Sequence, residues 1–279
     1  MRPVSIPAYI AKCWEPNLSE EAMLQSIRQS YQQLTQNKEP EVSVVIPAYN
    51  EEKNILQTLL ALSSNITQWP VEIVVVNNNS KDRTELLVTA SGVRCVNETK
   101  QGITAARNAG LKAAKGKYIL NADADSIYPK DWIELMIYPL AFKKDIALTY
   151  GRFSFIPIGK TGRWSYFFYE YFADVSRFIK KYIKDEAVNV YGFNSAYRRL
   201  QGLAVEGYNH PPGSNEDGYL ALKLRNNGYG KLYYVTNVKA LVWTSDRRIQ
   251  IDGGFMKASV QRIKKFFFRN KEVTIRSDL

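Results

Sequence analysis

Two cysteines, one histidine and no long apolar run are the marked shortages of this 279-residue chain. Cys13 and Cys95 allow at most one disulfide, and their spacing fits no metal-binding pattern, so a reducing compartment is expected. A lone His210 excludes His-rich metal sites and argues against a Ser-His-Asp triad. No apolar stretch approaches the ~20 residues of a membrane-spanning helix. The opening Met1-Arg2-Pro3-Val4-Ser5-Ile6-Pro7 carries two prolines and no long apolar core. It does not read as a signal peptide, and a cytoplasmic protein is expected. Acid is in deficit too: 27 Asp and Glu face 38 Lys and Arg, a formal net charge of +11. Such a chain favours polyanionic partners: nucleic acid, anionic lipid or phosphorylated small molecules.

What is present is ordinary globular material. Hydrophobic residues make up 45% and charged residues 23%, enough for a core and unlike a disordered or collagen-like chain. Residues 1–40 read as an N-terminal extension with one helix, about Ser19 to Leu34, whose Glu20 and Glu21 suit a helix N-terminus. From Val42 the texture changes. Val42-Ser43-Val44-Val45-Ile46 is a buried strand broken at Pro47. A helix through Ile55, Leu59 and Leu62 follows, then a strand Val71 to Val76, a short strand Val93 to Val96, a helix from about Thr104 to Lys115 and a strand Lys117 to Asn121. This alternation predicts a doubly wound, mostly parallel α/β sheet of Rossmann-like type, with ligands at the carboxyl ends of its strands. Two strands are expected around Gly151. Helices are expected over about Trp164 to Ile183 and Asp217 to Asn226, and strands over Leu232 to Val235 and Ala240 to Trp243.

Asp123-Ala124-Asp125 lies just past an apolar strand. Carboxylates two residues apart on a turn can face one hard cation and leave positions for phosphate oxygens. A solvated turn is the plainer alternative. Other segments add to the functional reading. Val42-Ser43-Val44-Val45-Ile46-Pro47-Ala48-Tyr49-Asn50-Glu51-Glu52 resembles the opening of family 2 glycosyltransferases of the GT-A fold. Val74 to Asp82, Gly102 to Gly110, Tyr118 to Asp125 and Glu216-Asp217 with Leu220 to Leu224 resemble further segments of that family, in the family's order, over about residues 42 to 245. The bacterial polysaccharide and cell-envelope members are the nearest in kind.

The resemblance implies a nucleotide-sugar half and an acceptor half in a domain spanning 41–245. Pro47, Ala48 and Tyr49 would line the nucleotide base, with the Tyr49 ring offering a stacking face, and Glu51 would lie near the ribose or base. Asn77 and Asn78 stand where many relatives carry Asp-Asp or Asp-Asn, which leaves the base unspecified. Arg107 would reach toward the nucleotide or diphosphate with its guanidinium fork; a solvated helix residue is the alternative. Asp123 and Asp125 would hold the divalent cation, Mn²⁺ or Mg²⁺, and Asp123 would also approach the ribose. Asp217 would be the general base of an inverting transfer, or else a charge complementing a helix terminus. Glu216 and Asn194 would face the acceptor, although Asn194 could instead satisfy local backbone. Arg247 and Arg248 would close over the diphosphate or belong to a charged surface loop. His210 reads as a solvated loop residue.

The expected partners are a nucleotide-diphosphate sugar donor and a glycan or lipid-linked acceptor. Over 246–279 a basic amphipathic helix is expected: Lys257 to Lys271 holds six basic residues and no acidic one, with Met256, Val260, Ile263 and Phe267 on one face. That pattern allows peripheral contact with an anionic membrane, on its inner face. The rivals are an inactive GT-A scaffold, a polyanion-binding protein and a nucleotidyltransferase. Intact Asp123, Asp125 and Asp217 argue against the first. No nucleic-acid motif supports the second, and nucleic acid is not an expected partner. The third would place a glycine-rich, lysine-containing loop where Pro47-Ala48-Tyr49-Asn50 stands.

Overall fold

The computed structural model describes residues 2–183, 185–251, 253–257 and 259–260. Two helices open the chain, α1 (Ala8–Trp14) and α2 (Glu20–Thr35). Ser19 caps α2 by accepting the Ala22 N–H at 3.2 Å, and Glu20 and Glu21 complement its positive end. Next come β1 (Val42–Ala48), α3 (Ile55–Ser63), β2 (Val71–Asn77), α4 (Thr84–Ala90), β3 (Arg94–Asn97), α5 (Ile103–Ala113) and β4 (Tyr118–Asn121). They are followed by β5 (Ser126–Ile127), α6 (Trp132–Phe142), β6 (Ile146–Tyr150), β7 (Phe153–Ile156) and α7 (Arg163–Ile183). The described elements end with β8 (Ser195–Arg198), α8 (Arg199–Ala204), α9 (Glu216–Asn226), β9 (Lys231–Tyr234), β10 (Val242–Ser245) and α10 (Arg247–Ile251).

Seven strands form the main sheet in the order β3-β2-β1-β4-β8-β6-β9. All its pairings are parallel except those of β8, which runs antiparallel to β4 and β6. The doubly wound, mostly parallel sheet read from the sequence is therefore the architecture found. A smaller sheet, β5-β10-β7, brings the end of the described chain back beside the turn after β4.

β1 is buried along its whole length, as a central parallel strand with both faces covered must be. Val42, Val44 and Ile46 share one core with Leu56 and Leu59 of α3, while Val45 joins Ala106 and Leu111 of α5 in the other. Each such side chain contributes about 1.5–3 kcal/mol by leaving water. Gly110 sets the approach of α5, because a Cβ there would overlap the Val45 side chain. The N-terminal helices lie on the first of these layers, where the Tyr31 hydroxyl of α2 accepts the Ile73 N–H at 3.0 Å.

The strand continues through Pro47 instead of breaking there. The Val45 carbonyl accepts from Ala122 beyond β4, and the Ala48 carbonyl accepts from Asn78 beyond β2. Backbone groups of a parallel strand alternate in direction, so Pro47 faces the β4 side. The ladder to β4 ends at Val45 opposite Asn121, so the proline's missing N–H interrupts no pairing. No helix among the described residues is long and apolar enough to cross a membrane. The basic helix expected over 257–271 falls mostly outside the described residues.

Candidate active site

The loops after β1, β2 and β4 converge at the carboxyl edge of the parallel strands. Two hydrogen bonds lock the first two together: the Asn50 N–H donates to Ser80 Oγ at 3.0 Å, and the Lys81 N–H donates to Asn50 Oδ1 at 2.7 Å. Asn50 adopts a left-handed φ of 54°, which asparagine tolerates better than most residues. Asp82 accepts the N–H groups of Glu52 and Thr84, each at 3.0 Å. Its burial works to raise its pKa, but the Thr84 hydroxyl and these amides outweigh that and hold it below the usual carboxylate range. Beside this junction the Tyr49 ring stands 48% exposed, free on one face.

Four of the residues assigned to the nucleotide base have other duties. Pro47 and Ala48 are buried within β1. Asn78 is fully used: Nδ2 donates to the carbonyls of Glu98 and Lys100 at 2.9 and 2.8 Å, and Oδ1 accepts the Gly102 N–H at 2.8 Å. Asn77 donates to Asn97 Oδ1 at 2.9 Å and Glu85 Oε2 at 3.2 Å, and accepts the Ser80 N–H. Asn78 shapes the loop between β3 and α5 and Asn77 ties β2 to β3 and α4; neither has an N–H left for a base, and each oxygen already accepts one hydrogen bond.

Asp123 and Asp125 stand on the turn after β4, their side chains 28% and 17% exposed. Two residues unremarked in the sequence build this turn. The Tyr128 hydroxyl accepts the Asp123 N–H at 2.8 Å and donates to the Phe193 carbonyl at 3.2 Å. The Thr58 hydroxyl, on α3, lies 2.9 Å from the carbonyls of Ala124 and Ser126. Burial is the largest influence on Asp123, and with the neighbouring Asp125 it carries the pKa up to about 6 against the pull of Arg107.

Arg107 does not extend toward solvent as a phosphate-binding arm. It is 3% exposed and lies beneath the cleft. Nη1 donates to the Gly192 carbonyl at 2.9 Å, Nη2 lies 3.3 Å from Asp123 Oδ1, and Nε lies 3.5 Å from Asp217 Oδ1. Burial opposes its charge, yet Asp217 and then Asp123 hold its pKa above the ordinary value. One guanidinium thus ties the cation carboxylate to the assigned base. Gly192 makes room for the pair, since a Cβ there would overlap both Arg107 and Asp217.

Asp217 sits in the first turn of α9, where Asn215 caps the helix by accepting the Gly218 N–H at 2.8 Å. Asp217 and Glu216 are each only 6% exposed. Burial chiefly raises Asp217, and Glu216 and Asp123 add to it, so its pKa rises to about 7 despite Arg107. Asp217 Oδ1, Glu216 Oε2 and Arg107 Nε make no hydrogen bond. Arg107 Nε and Asp217 Oδ1 face each other as an ion pair too long for a hydrogen bond, and the buried Glu216 Oε2 is the atom that a bound group would satisfy.

Arg247, at the start of α10, contacts Asp125 of the assigned cation pair, whereas Asp123 is held by Arg107. Arg247 Nη2 donates to Glu51 Oε1 at 2.7 Å and to Asp125 Oδ2 at 2.9 Å. Two carboxylates from different loops therefore converge on one positively charged nitrogen, and hard oxygen donors converging in this way fit a divalent cation. Among the described residues no cluster of three or more His, Cys, Asp or Glu is gathered closely enough to hold an ion alone. A site with two protein carboxylates suits an ion that takes its remaining ligands from substrate phosphates and water. Arg248 is exposed, and its charge favours the ionised form of Asp123.

Asn194 is not at an acceptor surface. It is 1% exposed, with Oδ1 accepting Trp132 Nε1–H at 2.9 Å and Nδ2 donating to the Arg152 carbonyl at 2.7 Å. It joins α6 to β7 inside the fold. His210 is a tie more than a solvated residue: Nε2 lies 3.2 Å from Thr104 Oγ1, and Nδ1 lies 3.1 Å from the Pro211 carbonyl.

The model of the family described as Glycosyl transferase family 2 matches residues 43–200, more than half of the chain. Dolichol-phosphate mannosyltransferase of Pyrococcus furiosus is 30% identical over 131 residues, 45% of this chain and 36% of that protein. UDP-Glc:alpha-D-GlcNAc-diphosphoundecaprenol beta-1,3-glucosyltransferase WfgD of Escherichia coli is 31% identical over 120 residues, 41% of this chain and 46% of that protein. The matched segments thus span less than half the length of these curated relatives. Glucosyl-3-phosphoglycerate synthase from Mycobacterium tuberculosis, solved with Mn²⁺, uridine-diphosphate-glucose and phosphoglyceric acid, has a similar structure. The TM-score is 0.53 over 90% of this chain and 85% of that one, at 18% identity, a likeness of fold alone. Asp217 and Arg247 lie beyond residues 43–200, so their assignment rests on the geometry above.

Proposed function

The chain belongs to glycosyl transferase family 2, and from that premise we propose that it transfers a sugar from a nucleotide-diphosphate donor to an acceptor hydroxyl, with inversion and with a divalent cation. The observation that carries this reading is the Asp123–Arg107–Asp217 array at the carboxyl edge of the sheet, its arginine and Asp217 buried and Asp123 open to the cleft.

Asp217 is the base. With a pKa near 7 and an Oδ1 that makes no hydrogen bond and meets Arg107 Nε only at 3.5 Å, it is suited to take a hydroxyl proton at neutral pH. As that proton moves to Asp217, the acceptor oxygen forms its bond to the anomeric carbon. The bond from that carbon to the phosphate oxygen breaks, and the diphosphate leaves with the electron pair. A single displacement of this kind inverts the anomeric centre. Arg107 holds Asp217 and Asp123 at fixed separation, so the base and the donor end of the cleft keep one geometry. Asp123 and Asp125 would hold the cation, Mn²⁺ or Mg²⁺, which when bound supplies charge neutralisation at the departing diphosphate. The exposed Tyr49 ring offers a stacking face for the base, and Arg248 adds positive charge near the phosphates. The acceptor class is a glycan or lipid-linked hydroxyl. The E. coli relative, named for a lipid-linked acceptor, supports it.

The test is a thermal-shift screen of UDP-, GDP- and dTDP-sugars with and without Mn²⁺, followed by product analysis. One nucleotide sugar is expected to raise the melting temperature only when Mn²⁺ is present, and Asp125→Asn to abolish that rise. If no nucleotide sugar stabilises the protein under either condition, the reading fails.

A further inference from the structure

α7 is built inside out. Its acidic residues point into the protein: Glu170 is 2% exposed, accepts the Phe155 N–H at 2.8 Å and pairs with Arg163 at 2.9 Å, and Asp174 pairs with Arg2 at 2.7 Å and with Arg177. The solvent side is apolar. Trp164, Phe168, Tyr171, Val175, Phe178 and Tyr182 follow one another in alternating steps of four and three residues, all at least 36% exposed and Tyr182 71%. That spacing draws one straight row about 27 Å long on a helix surface. A surface helix of a free-standing protein has the opposite arrangement, and an exposed apolar strip of this length marks an interaction site.

The chemistry of the row identifies its occupant. Five of the six residues are aromatic, whereas a helix–helix seam favours Leu, Ile and Val. Trp and Tyr side chains settle at the lipid–water boundary, apolar body inward and polar tip outward. Charge agrees with this. No acidic residue lies in the row, the exposed Lys160 stands beyond one end of it and Lys181, exposed although paired with Glu186, stands at the other, and the chain as a whole carries +11. We propose that the outward row of α7 is a docking surface for an anionic lipid bilayer, with the helix lying in the plane of the interface. The inference stands apart from the transfer reaction and needs no part of the cleft. The same helix nevertheless adjoins it, since Tyr166 donates to the Asp246 carboxylate at 2.5 Å, one residue before Arg247.

The test is co-sedimentation of the full chain with vesicles of phosphatidylcholine alone or of phosphatidylcholine with phosphatidylglycerol, two to one. The mixed vesicles are expected to bind the protein severalfold better. Phe168→Ser with Phe178→Ser is expected to lower that partition by about tenfold or more, because both rings are exposed and their loss removes only surface apolar area. The melting temperature of the double variant should match wild type. A blue shift of tryptophan fluorescence on mixed vesicles should shrink in Trp164→Phe. Three results overturn the proposal. Wild type fails to bind mixed vesicles; the double variant binds like wild type, so that other segments carry the contact; or wild type is a lipid-free dimer that the double variant converts to monomer, so that a second copy covers the row.

Discussion

The guanidinium of Arg247 reaches across 122 residues of sequence to Asp125, Nη2 lying 2.9 Å from Oδ2. The same nitrogen holds Glu51 at 2.7 Å, so a short C-terminal helix is pinned to both loops that face the cleft. Arg247 occupies the point on which Asp125 and Glu51 converge, and a divalent ion held by Asp125 would compete with it. The pair is partly exposed, the arginine side chain 39% and the aspartate 17%, which limits its strength to about 1 kcal/mol. Arg247→Met is therefore expected to tighten Mn²⁺ binding to the donor-free protein by about two- to fivefold. Calorimetric titration measures this directly. Unchanged or weaker binding would show that the arginine does not compete.

Asp217 gives two outcomes of opposite sense in one variant. Asp217→Asn removes the proton acceptor and is expected to lower kcat by about a hundred- to ten-thousand-fold, while the Mn²⁺-dependent donor shift survives. In wild type, kcat/KM should rise with pH through the region of 7, where the base loses its proton. The stability effect runs the other way. The folded state binds the Asp217 proton more tightly than the unfolded chain does, so this group's contribution is full below the ordinary carboxylate range and is lost as pH rises through about 7. Asp123, raised to about 6, acts in the same sense. Melting temperature without metal should fall between pH 4 and 7, and Asp217→Asn should flatten that decline. A variant whose melting curve tracks wild type at every pH would contradict the burial of this carboxylate.

Arg107 is the joint of the site. Removing it leaves the buried Asp217 and the partly exposed Asp123 without their counter-charge, and losing the partner of a buried charge costs about 3–5 kcal/mol. Arg107→Met should lower the urea midpoint accordingly. Arg107→Lys should rescue little, because three separate nitrogens serve the Gly192 carbonyl, Asp123 and Asp217. Gly192→Ala tests the same joint from the other side, because its methyl group would overlap both members of the Arg107–Asp217 pair. It should depress kcat with little change in donor affinity. Wild-type kcat in Gly192→Ala would mean that the array has slack the packing does not reveal.

What could be read from the sequence follows physical lines. β1 and β2 are continuous apolar runs with no plausible exposed face, so their burial and parallel pairing were evident. β8 falls within Gly192 to Arg199, a segment that resembles a family strand, but its antiparallel pairing, β5 and α6 were not evident. Two strands of four and two residues carry little periodicity, and Pro139 inside α6 reads as a break. In the site, Asp123, Asp125 and Asp217 are singled out by their place in segments that resemble the family, and the structure brings Asp123 and Asp217 to one guanidinium. The amides of Asn77, Asn78 and Asn194 have structural partners that their sequence neighbours do not reveal: the side chains of Asn97, Glu85 and Trp132 and backbone groups distant in the chain. Arg107, read as an arm toward the nucleotide or diphosphate, differs for a related reason: its burial follows only once the helix is seated against β1 and the partner carboxylates arrive from positions 123 and 217.

Tyr128 carries the last prediction, because it supports the cation turn without facing the cleft. Its hydroxyl accepts the Asp123 N–H and donates to the Phe193 carbonyl, and the side chain is fully buried. Tyr128→Phe keeps the ring and its packing on Trp132, 4.2 Å between centroids, but leaves an amide and a carbonyl without partners. Such a loss amounts to about 1–3 kcal/mol. Destabilisation alone would lower the melting temperature and leave the Mn²⁺ affinity of the folded protein intact. A positioning role predicts more: Asp123 is released from its fixed orientation, and the Mn²⁺ dissociation constant rises severalfold at a temperature where the variant is fully folded. Circular dichroism to confirm folding, with titration at that temperature, separates the two. An unchanged dissociation constant would confine Tyr128 to the core.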